Sequence, residues 1–361
     1  MFDPASGPRV FGIAPGADFP GLLAKGLHDR LAGQPPEALA RVEILVNTAR
    51  MQARLRQSLI ALGPGLLPRI RLIADLAGPG AEAPLRTRLE LAQLIRQLLQ
   101  AEPDLGPTSA AFSLAESLFR LLDEMQGEGV TLEILDRLDV SQHSLHWDRS
   151  LRFIRLIARF LGPASGGQAR LRAAVERLCA EWATRPPAHP VIVAGSTGSR
   201  GPTALLMRAV ARLPQGALVL PGYDFALPGP VWQRLDDPLQ SEDHPQFRYA
   251  HLLQGLGADP GAVRGWTADA APDPARNALI SLALRPAPVT DQWLRDGPEL
   301  GDLGRMTRPL SLIEAPSPRA EALAIALCLR EAAVSGQKAA LITPDRTLAR
   351  RVTAALDRWH L

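Results

Sequence analysis

Short apolar runs alternate with helical periods at both ends of this chain, and only helical periods fill its middle. Arg9–Ala14 is a short apolar run followed by the turn signal Pro15-Gly16. Asp18 stands where a helix cap would, ahead of Phe19–Leu31, with Leu22, Leu23, Leu27 and Leu31 on a 3.6-residue period. A second unit comes next: strand Val42–Val46, then helix Thr48–Leu62. Two β-α units with short connections predict a parallel sheet covered by helices.

From Pro84 to about Arg185 the pattern predicts helices alone: Leu85–Leu99, Phe112–Met125, Leu145–Leu161 and Arg170–Trp182. This reads as a helical insertion between two parts of one sheet. Strand Val191–Ala194, helix Pro202–Leu213 and strand Ala217–Leu220 resume the β-α-β order. Pro221–Asp243 reads as loop, His244–Leu256 and Pro274–Leu284 as helices, and Pro286–Arg308 as a linker. A further unit is expected to begin with strand Leu310–Ala315, helix Pro318–Val334, strand Lys338–Thr343 and helix Leu348–Trp359. Two strands and two helices are too few for an independent doubly wound sheet. The chain is therefore expected to be part of a longer protein, with uncovered apolar edges in its last unit.

Composition narrows the class. At 361 residues, 46% hydrophobic and 21% charged, the chain can bury a sizeable core and is no disordered tail. No apolar run reaches the roughly 18 residues of a membrane span, and the start lacks the pattern of a secretory signal. Cys179 and Cys328 sit far apart inside apolar helical patterns and read as thiols of a reducing cytoplasm. The formal charge is +3 and the pI about 9.3. Only Lys25 and Lys338 are lysine; the other 38 of the 40 basic residues are arginine, a bias that a GC-rich genome also produces. Such a balance permits an anionic partner.

Four stretches carry candidate chemistry. Gly12, Pro15, Gly16 and Asp18 occupy the strand-to-helix turn where a phosphate loop would lie. A working GxxxxGK[ST] loop needs a lysine and a hydroxyl that are missing here, and Asp18 would repel phosphate. The alternative is an ordinary turn. Asn47, Thr48 and Arg50 end a strand, with Arg54 one turn on. Residues 41–71 hold six arginines against the single acid Glu43. Such groups at the C-terminal edge of a parallel sheet suit phosphates, unless they form only a solvated helix face. Ser196, Thr197 and Ser199 come after the third strand. They do not form a GxSxG elbow, and Ala194-Gly195 stands where an ATPase would place a magnesium-binding acid. Arg149, Arg152, Arg155 and Arg159 share one helix face, as a phosphate-tracking stripe or an exposed surface. His143, His146 and His251 read as structural or exposed, and His244-Pro245-Gln246 offers no catalytic geometry. No paired carboxylates or zinc spacing stand out.

At 10–27, 42–76, 190–224, 244–257, 283–293 and 314–356 the chain resembles the AddB family, one subunit of the bacterial AddAB helicase–nucleases, in its alphaproteobacterial form. VFGIAPGADFPGLLAKGL, VEILVNTARMQARLRQ and PVIVAGSTGSRGPTALL carry much of the likeness. The resemblance implies an α/β, RecA-like parallel sheet of the superfamily-one helicase type. Its parts would be 1–80 and 187–305, with a helical insertion at 81–186 and an incomplete second RecA-like domain at 306–361. It implies a degenerate Walker motif at Gly12–Phe19 and single-stranded DNA contacts at Asn47–Arg50 and Gly195–Ser199. Its expected partners are DNA, single-stranded and at duplex ends, and an AddA-type helicase–nuclease subunit in a cytoplasmic double-strand-break repair complex. ATP and magnesium would belong to the partner subunit. The family's iron–sulfur cluster would belong to a C-terminal nuclease domain that this chain lacks. Catalytic, metal and cofactor sites are therefore not expected here. The competing readings are an active P-loop-like ATPase with an atypical phosphate loop and a non-enzymatic partner-binding scaffold.

Overall fold

A computed structural model describes residues 1–3, 7–78, 85–135, 151, 154, 166–198 and 200–361. The chain divides into two compact units, Met1–Gly301 and Asp302–Leu361. The arginine stripe at 149–159, His143 and His146, and the helix expected over 145–161 fall largely outside the described residues.

The first unit is a mixed α/β, RecA-like fold around a six-stranded parallel sheet. Its strands are β1 (Val10–Ile13), β2 (Glu43–Val46), β3 (Arg69–Leu72), β4 (Val191–Ala194), β5 (Gly216–Pro221) and β6 (Arg264–Gly265), in the spatial order β3-β2-β4-β5-β1-β6. Parallel strands need crossovers, and the hand of the crossover is fixed. The direction travelled along the sheet therefore decides which face the connecting helix covers. From β1 to β2 and from β2 to β3 the chain moves one way. Its helices α1 (Phe19–Leu31) and α2 (Ala49–Ala61) bury Leu23, Leu27, Leu55 and Leu59 against Ile44, Val46, Ile192 and Val219. Later crossovers run the other way. Their helices α5 (Gly167–Thr184), α6 (Gly201–Arg212) and α7 (Phe247–Leu256) bury Val175, Leu206, Val210 and Leu253 against Leu45, Val191, Val193 and Leu218. Alternate residues of each strand thus face different layers, and both faces are dry, as a parallel sheet requires.

The insertion builds a core of its own. Leu91, Ile95 and Leu99 of α3 (Leu85–Ala101) pack on Ala115, Leu118, Phe119 and Leu122 of α4 (Ala111–Glu128). Two acids of α4 tie it to the sheet layers through helix starts. Asp123 accepts from the N–H groups of Gln168 and Ala169 at 2.9 and 3.1 Å, and Glu128 accepts from Gly201 N–H at 2.9 Å. Both carboxylates satisfy amides that the helices α5 and α6 leave unpaired.

Two short strands escape the sequence pattern. β3 carries exposed Arg69 and Arg71 around buried Ile70, the alternation of an edge strand rather than a buried run. The β6 pairing spans two residues and is held by the adjoining Trp266. This indole is buried, donates Nε1–H to Leu23 O at 3.2 Å, meets Phe11 edge-on, and lies under the Arg30 guanidinium at 3.7 Å. The expected linker 286–308 is instead partly helical and fastened at its start to α8 (Pro274–Ala283). Trp293 Nε1 donates to Leu282 O at 2.8 Å, and buried Arg285 donates to Gln292 Oε1 at 2.8 Å.

The second unit packs α9 (Pro318–Val334) against α10 (Arg346–Leu356). Ala322, Ala326 and Val352 form its small core. Ser317 and Asp345 cap the two helices. The strands expected at 310–315 and 338–343 form no ladder among the described residues: too few partners are present to satisfy either backbone edge. Leu312 and Ile342 are 88% and 94% exposed.

Each unit has its own core, and exposed Leu312 and Ile342 lie in the second. Removing 302–361 is therefore expected to keep a cooperative urea transition at the same midpoint and to lower binding of a hydrophobic dye. Loss of the cooperative transition on trimming would show that the two units fold as one.

Candidate functional site

The connections leaving β1 and β5 run to opposite layers, so the C-terminal edge of the sheet opens between them, where ligands of α/β sheets lodge. The turn after β1, Ala14–Asp18, borders a cavity of about 390 Å³ there, with Asp224 and Phe225 after β5 and Asp269 after β6 on its other walls. Gly16 makes the turn with φ +79°, and Asn277 of α8 donates to Pro15 O at 3.0 Å. Gly12 must be glycine because β5's exit crosses it. A Cβ at Gly12 would lie 2.7 Å from Tyr223 Cβ and 2.9 Å from Phe225 Cζ.

Asp18 stands at the N-cap position of α1 but does not cap it through its side chain. Pro20 removes one of the amides it would reach, and the carboxylate lies over Gly21 instead, where a side chain would collide with it. Lys25, the one lysine of the first unit, bonds Asp269 at 2.7 and 2.8 Å. That hydrogen bond holds the Asp269 carboxyl below, and the Lys25 ammonium above, its ordinary pKa. Apolar walls, two carboxylates and an engaged lysine do not suit a nucleotide triphosphate, whose charge needs free cations and amides.

A buried polar network braces the β5 exit. Gln246 accepts from Asp224 N–H at 3.1 Å and donates to Gly222 O at 3.0 Å. Its own N–H donates to His244 Nδ1 at 3.1 Å. Burial, opposed by Asp224 and assisted by Arg285, pushes the His244 pKa down, so the imidazole is neutral and Nδ1 is free to accept.

The second corner of the same edge lies at β2 and β4. Val46 pairs with Ala194, so Asn47 and Gly195 leave neighbouring strands side by side. Asn47, Thr48, Arg50, Arg54 and Thr197 are all exposed. Thr48 Oγ1 accepts from Met51 N–H at 3.1 Å and caps α2. Arg50 and Arg54 share a face of α2 and have no ion pair among the described residues. Ser196 is 2% exposed, and its hydroxyl accepts from Gly198 N–H at 3.2 Å, which shapes the loop. Ser199 lies outside the described residues.

The rest of the basic stretch goes elsewhere. Arg71 bonds Glu43 at 3.0 Å on the β3 edge, with His189 on the same carboxylate at 3.4 Å, and Arg41 precedes β2 at the opposite edge of the sheet. Among the described residues no group of His, Cys, Asp or Glu is suited to hold a metal ion. Cys179 lies half-buried in α5 and Cys328 exposed in α9. Sequence reasoning missed Tyr223, Phe225 and the Lys25–Asp269 pair. The aromatic residues fall in a proline-rich loop with no periodicity, and the pair spans 244 positions.

Compared with family models and with curated proteins, the chain finds no match.

The neutral His244 sets a pH dependence. Its folded pKa lies below the ordinary value near 6.5, so on acidification the unfolded chain takes up the proton first. Stability contributed by this group is complete above about pH 6.5 and falls as the pH drops toward the depressed value. His244→Asn keeps an acceptor for Gln246 N–H without titrating. Urea midpoints at pH 7.5 and 5.5 should therefore differ less for the variant than for the unaltered chain.

Proposed function

We propose that this chain is a non-catalytic, helicase-like DNA-binding part of an AddB-type subunit, acting with an ATP-driven, AddA-type partner on double-strand breaks in the cytoplasm. The observation that carries the reading is the β2–β4 corner. Exposed Asn47 and Thr48, with Arg50 and Arg54 unpaired among the described residues, stand beside Thr197 on the sheet edge where the resemblance expects single-stranded DNA contacts. Arginine can hold a phosphate through two donors, while asparagine and hydroxyl groups add neutral hydrogen bonds to phosphate and sugar. Such contacts read the backbone and not the bases, so binding on this reading is sequence-tolerant and salt-sensitive.

The β1 cavity supports the non-catalytic part of the proposal and weighs against the ATPase alternative. Phosphoryl transfer depends on placed positive charge around the γ-phosphate. Here Lys25 is bound to Asp269, Asp224 and Asp269 line the cavity, and Phe225 lies over Gly12. The iron–sulfur cluster of the family needs four cysteine ligands, and two cysteines are too few to provide them.

Binding of a fluorescent oligothymidylate at two or more salt concentrations tests the corner. Arg50→Ala with Arg54→Ala should weaken binding and reduce the salt slope by roughly 0.7 for each phosphate no longer held. Equal affinity and equal slope would return both arginines to an ordinary solvated helix face. A separate titration tests the cavity: the purified chain is expected neither to bind ATP saturably nor to release phosphate in the presence of DNA. DNA-stimulated phosphate release that Phe225→Trp abolishes would establish the ATPase reading instead.

A further inference from the structure

The cavity of about 390 Å³ at the β1 corner is unsuited to a triphosphate, and the same features make it selective in the opposite sense. Ile13, Pro15, Leu22 and Ala271 give it apolar walls, and Phe225, which is 47% exposed, adds an aromatic ring. One carboxylate in this wall is held in place but not used up. Asp224 is 9% exposed; its Oδ1 accepts from Ala226 N–H at 2.9 Å, and its own N–H donates to Gln246 at 3.1 Å. Its Oδ2 has no hydrogen-bond partner among the described residues and is not closed off from solvent. A carboxylate accepts at both oxygens, and buried acceptors are almost always answered. A fixed, half-answered carboxylate lining a cavity marks a place where a donor belongs.

Among the described residues no cation meets this demand. Lys25 is bound to both oxygens of Asp269 at 2.7 and 2.8 Å, so the second carboxylate of the wall is already matched. Arg285 feels the charge of Asp224 but directs its donors elsewhere: Nε to Gln292 Oε1 at 2.8 Å and Nη1 to Ser281 O at 2.9 Å. His244 is also within range of that charge, yet its imidazole is neutral and Nδ1 accepts from Gln246 N–H. Asn277 places an amide hydrogen on Pro15 O at 3.0 Å. What remains is one unanswered acceptor among apolar and aromatic walls.

We propose that this cavity binds a small organic amine, its ammonium group donating to Asp224 Oδ2 and its apolar or aromatic body lying against Ile13, Leu22 and Phe225. An ammonium is drawn to a fixed carboxylate by a charge-assisted hydrogen bond and to a neighbouring aromatic ring by the charge of the ring face. The body of the ligand supplies apolar burial, and the volume falls within the range of small-molecule sites. An anionic group is repelled by the same oxygen, and a neutral analogue gains less from it. The proposal does not rest on the DNA-binding reading: none of these residues belongs to the β2–β4 corner, so the two assignments can fail separately.

Calorimetric titration of the full chain with 2-phenylethylamine, cationic at pH 7.5, tests the site beside 2-phenylethanol and 3-phenylpropionate, its neutral and anionic analogues. The amine should bind saturably, the alcohol about tenfold more weakly and the propionate not at all. The factor is the usual size of a lost charged hydrogen bond. Asp224→Asn keeps an oxygen for Ala226 N–H and removes the charge. It should weaken the amine by about the same factor and bring amine and alcohol to similar affinity. If Asp224→Asn does not fold, Ala271→Phe fills the cavity from the segment after β6 and should remove amine binding. No saturable binding of the amine, equal affinity for amine and alcohol in the unaltered chain, or unchanged amine affinity in whichever variant folds would overturn the proposal.

Discussion

An all-parallel sheet cannot turn back on itself, and that constraint sets most of the surface this molecule presents. Each strand must be succeeded by a crossover, each crossover lands on the face dictated by its direction, and both faces become core. The faces are therefore closed to ligands and the strand ends carry the chemistry. β1 and β5 send their chains to opposite layers, and so do β2 and β4. Those two divergences create the two corners of the C-terminal edge. The first holds Gly12, Phe225 and Asp224, the second Asn47, Arg50 and Thr197. Both corners are consequences of strand order, not of any single motif.

The first corner is a strand-to-helix turn closed by protein on its neighbouring sides. Here Tyr223 N–H donates to Ile13 O at 2.9 Å, Trp266 N–H to Gly12 O at 2.9 Å, and Asn277 to Pro15 O. Lys25 joins α1 to the loop after β6 through Asp269. Each of these bonds pins the turn to a neighbouring connection, and together they fasten three strand exits. Gly12 permits the aromatic cover, and the buried Gln246–His244 pair holds the segment that supplies it.

Legibility in the sequence tracked burial. VFGI, EILV, VIVA and ALVL are continuous apolar runs because those strands are covered on both faces, and they stand out for that reason. RIRL does not, since an edge strand alternates and two arginines interrupt it. Apolar content also misled: Leu310–Ala315 and Lys338–Thr343 read as strands, but a strand exists only through its ladder, and neither has a partner strand among the described residues. The grouping of Asn47 with Ser196 and Thr197 was legible as two strand ends. Their adjacency was not, because β2 and β4 are far apart in sequence and meet only through the insertion's return path.

The basic stretch 41–71 shows why a charge count needs a fold before it becomes an interface. Six arginines within this short span suggest one strong patch, yet a β-α-β unit reverses direction twice over that length. Arg41 falls at the N-terminal edge of the sheet, Arg69 and Arg71 on the outer strand, and Arg50 and Arg54 at the C-terminal edge. Glu43, the one acid of the stretch, sits in register with Arg69 and bonds Arg71, so the outer strand is partly neutralised. The charge left to face a ligand at the β2–β4 corner is that of two arginines. Coulomb attraction from two exposed charges is modest and falls with salt over about 10 Å at 0.1 M ionic strength. A surface of this size steers and holds a polyanion only in concert with other contacts.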